Sequence, residues 1–345
     1  MGAQARRLCA RTPVRGGARG VIDEPEEEWI QGLKVRARRK YAKRPLKGRG
    51  RQLPPAEGNA TVVEIFPNQA AVVRDTGRSR GLCNYRMRSF AFGGASRERS
   101  PVCVGDRVRV EVDVIVGRCE RRNQLVRSAP NSRDPLLHAV AANLDRLVVV
   151  AAALDPEFTP GIVDRFLVAA SAQSIPAILC VNKSDLLSPG GERPWSHYAR
   201  AGVELVEVSA LGGEGTDALA ELIRGKAAAF CGHSGVGKTS LLRRLLGDES
   251  LGRIGGLSAA TGMGKHTTTG AVMLPGPAGS FWIDTPGIMN FTLVGVTRES
   301  LLPHFPELRD AAVRCIPDCL HDAETDCALR GMPRHLSYRQ LLAAL

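Results

Sequence analysis

Apolar positions change their spacing twice along this chain. Through residues 60–127 they come in short runs, continuous or alternating with period two: Thr61-Val62-Val63-Glu64-Ile65, Ala70-Ala71-Val72-Val73 and Val108-Arg109-Val110-Glu111-Val112-Asp113-Val114. Turn-forming pairs separate them at Pro67-Asn68, Gly93-Gly94 and Gly105-Asp106. Several short strands in so short a stretch predict a small closed barrel, and the five-stranded OB type fits best. From residue 147 strand and helix alternate. Residues 147–153 are apolar throughout, as a strand buried on both faces must be. Ile162, Phe166, Leu167 and Ala170 recur at helical spacing within 161–172. Further strands are predicted at 175–181, 203–208, 227–231 and 280–283, and helices at 214–226 and 240–246, the last ended by Gly247. That alternation predicts a parallel sheet covered by helices.

Length and charge set the frame for these elements. A chain of 345 residues exceeds one ordinary domain. Its longest clean apolar run, 147–154, falls well short of the roughly 18–20 residues of a membrane helix, so a soluble protein with no membrane partner is expected. The net charge of +12 is uneven: residues 1–60 hold fifteen Lys/Arg against six Asp/Glu. Residues 1–58 lack periodicity and are rich in Arg, Gly and Pro, which predicts a disordered basic arm, broken by the acidic run at 23–28. A basic arm on a nearly neutral body points to a polyanion, RNA first. On the barrel, Arg121, Arg122 and Arg127, with Arg86 and Arg88 beside Tyr85, are candidates to meet its phosphates. The first twenty residues carry no acid, which fits an organelle leader, and no Ser, which does not; the compartment is a chloroplast stroma or mitochondrion in a eukaryote and the cytoplasm in a bacterium.

The chemistry begins at Gly232. Four residues later stand Gly237-Lys238-Thr239, between a predicted strand and a predicted helix, and this is the full phosphate-loop pattern. Glycines let backbone N–H groups of Gly232, Ser234, Gly235, Val236, Gly237 and Ser240 converge on phosphates at a helix N-terminus. Lys238 would reach the β- and γ-phosphates, and the Thr239 hydroxyl would ligate Mg²⁺. Three more motifs stand at predicted strand ends: Asn182-Lys183-Ser184-Asp185, Ser209-Ala210-Leu211 and Asp284-Thr285-Pro286-Gly287. They match the guanine-reading NKxD, the SA base loop and the γ-phosphate-sensing DxxG of GTPases. The Asp185 carboxylate can accept from guanine's ring N–H and amine, which adenine does not offer together. In an ordinary GTPase the phosphate loop precedes NKxD and SA; here it follows them, so the sheet is circularly permuted.

With its permuted motifs the chain resembles the ribosome small-subunit-dependent GTPase A family (RsgA/YjeQ), from about residue 60 to the end. The resemblance includes Val104-Gly105-Asp106-Arg107-Val108, Ala142-Asn143-Leu144-Asp145, Gly264-Lys265-His266-Thr267-Thr268-Thr269 and Ser337-Tyr338-Arg339-Gln340-Leu341-Leu342. It implies an OB barrel at 59–128, a permuted GTPase domain at 135–295 and an α-helical zinc-binding region at 296–345. The implied role is late maturation of the small ribosomal subunit by a monomer that binds rRNA and leaves after hydrolysing GTP to GDP. It also implies that a threonine of the first switch, Thr268 within 267–269, joins Thr239 and Asp284 around Mg²⁺. Ile288 occupies the place where ordinary GTPases carry a water-orienting Gln, and the resemblance assigns that work to His266. Potassium-activated relatives have Asn where Gly235 stands, so no potassium site is expected.

Near the C-terminus Cys315, Cys319, His321 and Cys327 offer three thiolates and an imidazole, a closed set that suits one structural Zn²⁺. Only three residues separate Cys315 from Cys319, one fewer than in the family pattern. Rival functions are a permuted GTPase of large-subunit assembly, which the barrel and cysteine cluster disfavour, and a GTP-holding RNA scaffold without turnover. A phosphate-loop kinase would have no use for Asn182-Lys183-Ser184-Asp185.

Overall fold

The computed structural model describes residues 51–77, 80–85, 100–128, 137–247, 271–285, 291–322 and 324–345. Strands β2 (Ala60–Phe66), β3 (Gln69–Arg74), β4 (Arg80–Asn84), β5 (Arg107–Glu111) and β6 (Val114–Cys119) form the barrel. β2 pairs β3, β3 pairs β4, β4 pairs β6, β6 pairs β5 and β5 returns to β2, so the ring closes. Only the β4–β6 pairing is parallel, which gives the five-stranded Greek-key barrel expected. Its interior takes the alternate positions Ala60, Val62, Val72, Val108 and Val110, with Ile115 and Tyr85. Residues read as the end of the arm are part of this unit: β1 (Arg51–Leu53) pairs parallel with β6. No hydrophobic period marks so short a strand, because its backbone pairing does the ordering.

Two of the candidate barrel arginines are bonded to carboxylates and carbonyls within the fold. Arg121 donates from Nε to Asp106 at 2.7 Å, and both side chains are buried. Arg122 donates to Asp145 at 2.7 Å and to the Asn143 and Leu144 carbonyls. Both sit at the joint to the next domain, where buried main-chain carbonyls need donors. Arg127 is half-buried; Arg86 and Arg88 lie outside the described residues. At the end of the stretch assigned to the barrel, β7 (Gln124–Ser128) pairs instead with β8 (Leu137–Ala142) in a ribbon leading out of it.

The second sheet runs β13-β14-β12-β9-β10-β11, from β13 (Val272–Pro275), β14 (Phe281–Asp284), β12 (Ala227–Cys231), β9 (Arg146–Ala152), β10 (Ala177–Asn182) and β11 (Glu204–Glu207). All neighbours are parallel except β13–β14. The strand that comes first in the chain, β9, lies in the middle beside β12, as permutation requires. Leu147, Val149 and Ala151 face one hydrophobic core, while Val148, Val150 and Ala152 face the other. The helices are α1 (Pro160–Ala172), α2 (Ser196–Arg200), α3 (Thr216–Leu222) and α4 (Lys238–Leu246), followed in the C-terminal region by α5 (Pro306–Ala312) and α6 (His335–Ala344). α3 is shorter than the predicted 214–226, because Gly215 and Gly225 hold left-handed backbone at either side of it. The C-terminal core of Leu301, Phe305, Leu308, Leu329, Tyr338 and Leu341 closes over Val168 of α1.

Among the described residues, barrel and sheet are joined at opposite ends. β13 pairs antiparallel with β2 through Val272 and Glu64. At the other end, the Asp145 N–H donates to the Ala227 carbonyl at 2.8 Å, and the Asp145 carboxylate accepts the Ala227 N–H at 2.8 Å. Gly105 is required there: a Cβ on it would lie 2.1 Å from the Ala142 carbonyl oxygen, and its φ is +88°.

Candidate functional site: a nucleotide cleft and a separate metal centre

The loop between β12 and α4 opens beside β9, where the sheet switches direction of growth and ligands of α/β folds settle. Gly232 has φ +148°, and a Cβ there would meet the Val150 carbonyl oxygen at 2.1 Å. Gly237, in the left-handed region at φ +87°, leads into α4 with no side-chain cap. The first-turn N–H groups of α4 therefore lack side-chain partners, and the dipole favours an anion there. Lys238 Nζ donates to the Gly232 and His233 carbonyls at 2.7 and 3.1 Å. Ser234, Gly235, Thr239 and Ser240 are exposed.

The base-reading residues are joined to this loop. The Asn182 amide donates to the Val236 carbonyl at 2.9 Å, while its oxygen accepts the Ala210 N–H at 2.9 Å. A Cβ on Gly237 would fall 2.4 Å from the Asn182 amide nitrogen, so the glycine lets the two loops touch. Lys183, in left-handed backbone, donates from Nζ to the Asp155 carbonyl. Asp185 accepts from the Ser209 hydroxyl at 2.6 Å, and Ser209 Oγ accepts the Gly212 N–H at 2.8 Å. Ser209 is buried and Asp185 exposed, which fixes the carboxylate's rotamer and leaves it open to a ligand.

Asp284 ends β14, one strand from the phosphate loop. Burial raises its pKa, and Lys238 opposes that shift; burial lowers the Lys238 pKa, and Asp284 opposes it in turn. Two half-buried opposite charges beside an uncapped helix start can hold a polyphosphate and its cation. Thr285, which the motif reading passed over as the variable position of DxxG, donates from Oγ1 to the Phe230 carbonyl at 2.5 Å and ties β14's exit to β12. His266, Thr267, Thr268, Thr269, Gly287 and Ile288 lie outside the described residues.

Cys315, Cys319, His321 and Cys327 present ligand atoms all within 4.8 Å of one another. The Cys315 and Cys327 sulfurs lie 3.5 and 3.7 Å from His321 Nδ1 and 3.9 Å from each other. Zinc bonds of about 2.3 Å to sulfur and 2.0 Å to nitrogen give tetrahedral edges of roughly 3.5–3.8 Å, so the set fits zinc. Cys315 belongs to it despite the shorter spacing: left-handed backbone at Asp318 and His321 bends the loop back. Second-sphere bonds hold the ligands. The Ala328 N–H points at Cys315 Sγ at 3.3 Å, and Glu324 accepts the Leu320 and Asp322 N–H groups at 2.8 and 2.9 Å.

Fold and cleft together define a circularly permuted GTP-hydrolysing enzyme with a barrel before it and a metal-binding region after it. The family model described as RsgA GTPase matches residues 118–294. A small ribosomal subunit biogenesis GTPase RsgA of Chlorobaculum tepidum is 39% identical over 242 residues, covering 66% of this chain and 78% of the relative. Its namesake from Azotobacter vinelandii is 38% identical over 308 residues, covering 84% and 86%. The crystal structure of YjeQ from Thermotoga maritima superposes with a TM-score of 0.59 at 27% identity, over 84% of this chain and 98% of that one. YloQ, a circularly permuted GTPase, shares the fold with a TM-score of 0.56 at 23% identity, covering 83% and 94%. The chain belongs to the RsgA GTPase family.

Proposed function

We propose that this enzyme acts in late maturation of the small ribosomal subunit, binding its rRNA and leaving after GTP hydrolysis. The observation that carries the reading is the bond between base-reading and phosphate loops, through Asn182 and the Val236 carbonyl, in a family whose relatives are named for that subunit. Asp185 reads guanine with Asn182, Lys183, Ser209 and Ala210 around it. Gly232 and the residues 234–240 cradle the phosphates, with Lys238 on the β- and γ-oxygens. Thr239, Thr268 and Asp284 surround Mg²⁺, Gly287 senses the γ-phosphate and His266 orients the attacking water. Zn²⁺ at Cys315, Cys319, His321 and Cys327 has a structural role, because four protein ligands leave no open position. The RNA surface combines the basic arm, the exposed Arg109 of β5 and the metal-binding region.

The protein works as a monomer, away from membranes, wherever small subunits are assembled. Among the described residues no helix is long and apolar enough to cross a membrane. Co-sedimentation with purified small subunits in GTP, GDP and a non-hydrolysable analogue tests the proposal. Tight association with the analogue and loss with GDP is the expected result. Equal association in all three states, or preference for large subunits, refutes it. Turnover that stays undetectable with and without subunits would leave a GTP-holding scaffold.

A further inference from the structure

Three successive residues of α1 reach in different directions. Asp164, completely buried, accepts from Arg334 Nε at 2.7 Å. Arg165 donates from Nε to the Phe291 carbonyl at 3.3 Å. Phe166 meets the Phe291 ring edge-on, with centroids 5.3 Å apart. Phe291 follows the second-switch segment that begins at Asp284, and the next residue, Thr292, donates its N–H to the Val126 carbonyl of β7 at 2.8 Å. The chain leaving that switch is therefore gripped by α1 on one side and by β7 on the other.

Arg334 comes from the C-terminal region and is 2% exposed. Besides Asp164 it meets Glu307 of α5 at 3.1 and 3.2 Å. Its guanidinium lies over the Phe305 and Tyr198 rings, 4.6 and 5.0 Å from their centroids. A buried guanidinium held by two carboxylates and two rings has one geometry, and losing a partner strands the other charge. The first turns of α1 also border the nucleotide cleft: Thr159, Ile162, Val163 and Phe166 line a cavity of about 80 Å³ with His233 and Val236 of the phosphate loop.

We infer that Asp164 and Arg334 are positioning residues for GTP hydrolysis, acting through Arg165 and Phe166 on the exit of the second switch. The pair sets the register of α1 against the C-terminal region. Because a helix is stiff over one turn, that register is passed to the neighbouring grip on Phe291.

Full-length, zinc-loaded protein decides the matter by single-turnover hydrolysis with small subunits, GTP and GDP affinities by fluorescent nucleotide, zinc content and thermal midpoint. Asp164→Asn and Arg165→Ala are each expected to slow hydrolysis at least tenfold, with both affinities within twofold and one zinc per chain. The double variant should be no slower than the slower single one, since both act on one grip. Leu341→Ala loosens the same C-terminal core without touching the pair, and should hydrolyse within twofold of wild type when compared equally far below its midpoint. An Arg165→Ala rate within twofold of wild type overturns the inference. So does a multiplicative double variant, or a Leu341→Ala loss as large as that of Asp164→Asn. An Asp164→Asn rate within twofold of wild type does so too, and if that variant does not fold, Arg334→Lys takes its place by the same tenfold and twofold limits.

Discussion

Replacing Asp185 with Asn should trade guanine for xanthine. The carboxylate's rotamer is set by the Ser209 hydroxyl at 2.6 Å, itself held by the Gly212 N–H, so an amide of the same shape keeps its place. Guanine offers two donors, its ring N–H and exocyclic amine, and a carboxylate accepts both. Hydrogen bonds to a charged group contribute about 1.5–3 kcal/mol each. The Asn amide keeps a neutral acceptor for the ring N–H and sets a donor against the amine, which together cost about 3–6 kcal/mol, or roughly 10²–10⁴-fold in affinity. Xanthine carries a carbonyl where guanine has its amine, so the introduced side-chain amide regains a partner there. Because Asp185 is exposed, the fold should lose no more than about 1 kcal/mol. Competition binding with GTP and XTP on the same preparation gives both numbers. GTP affinity within threefold of wild type, or no gain for XTP, would mean that guanine is read elsewhere.

Lys238→Ala removes the cation from the phosphate loop and should abolish turnover while circular dichroism and the thermal midpoint stay near wild type; measurable turnover refutes the assignment. Cys319→Ser, or stripping the metal with a chelator, should melt the C-terminal region locally, since structural zinc contributes about 10–16 kcal/mol of apparent binding energy in small peptides. A metal-free chain with that region still protected from hydrogen exchange would contradict this. His266→Ala should lower single-turnover hydrolysis on saturating subunits by about 10²–10⁴-fold with GTP affinity nearly unchanged. A rate within twofold of wild type would place the water-orienting group elsewhere.

What the sequence made legible follows from where the physics is local. Strands β2 and β3, the doubly buried β9 and the phosphate loop each depend on residues a few positions apart, so period and glycine spacing expose them. Strand β4 escapes the period, and the run 108–114 is broken by a left-handed turn at Val112 into β5 and the start of β6. The order of four short motifs was enough to expect a permuted sheet, in which β9 lies beside β12. Arg121, Arg122 and Arg334 show the opposite case. In sequence they are three arginines like the others, yet each is held by a carboxylate set elsewhere in the chain: Asp106, Asp145 and Asp164. The Asp164–Arg334 pair spans 170 residues, and no local pattern announces such a partner. Likewise β1 is too short to carry a period, and the metal loop's shorter cysteine spacing is resolved only by the left-handed turns at Asp318 and His321.

The joint between barrel and enzyme bears on how a nucleotide signal leaves the cleft. One row of paired residues runs from Glu64 of the barrel to Val272, on to Asp284, and then to Phe230 of the phosphate-loop strand. At the far end Asp145 locks the β8 exit onto Ala227, the first residue of that same strand. A domain bonded through a continuous sheet and a side-chain clasp has little freedom to swing, since moving it breaks several backbone bonds at once. The C-terminal region is attached differently, by side chains packed on α1 around one buried guanidinium. A change at Asp284 therefore meets backbone pairing on the barrel side and side-chain packing on the other. The barrel thus sets the frame in which Asp284 and β13 are held.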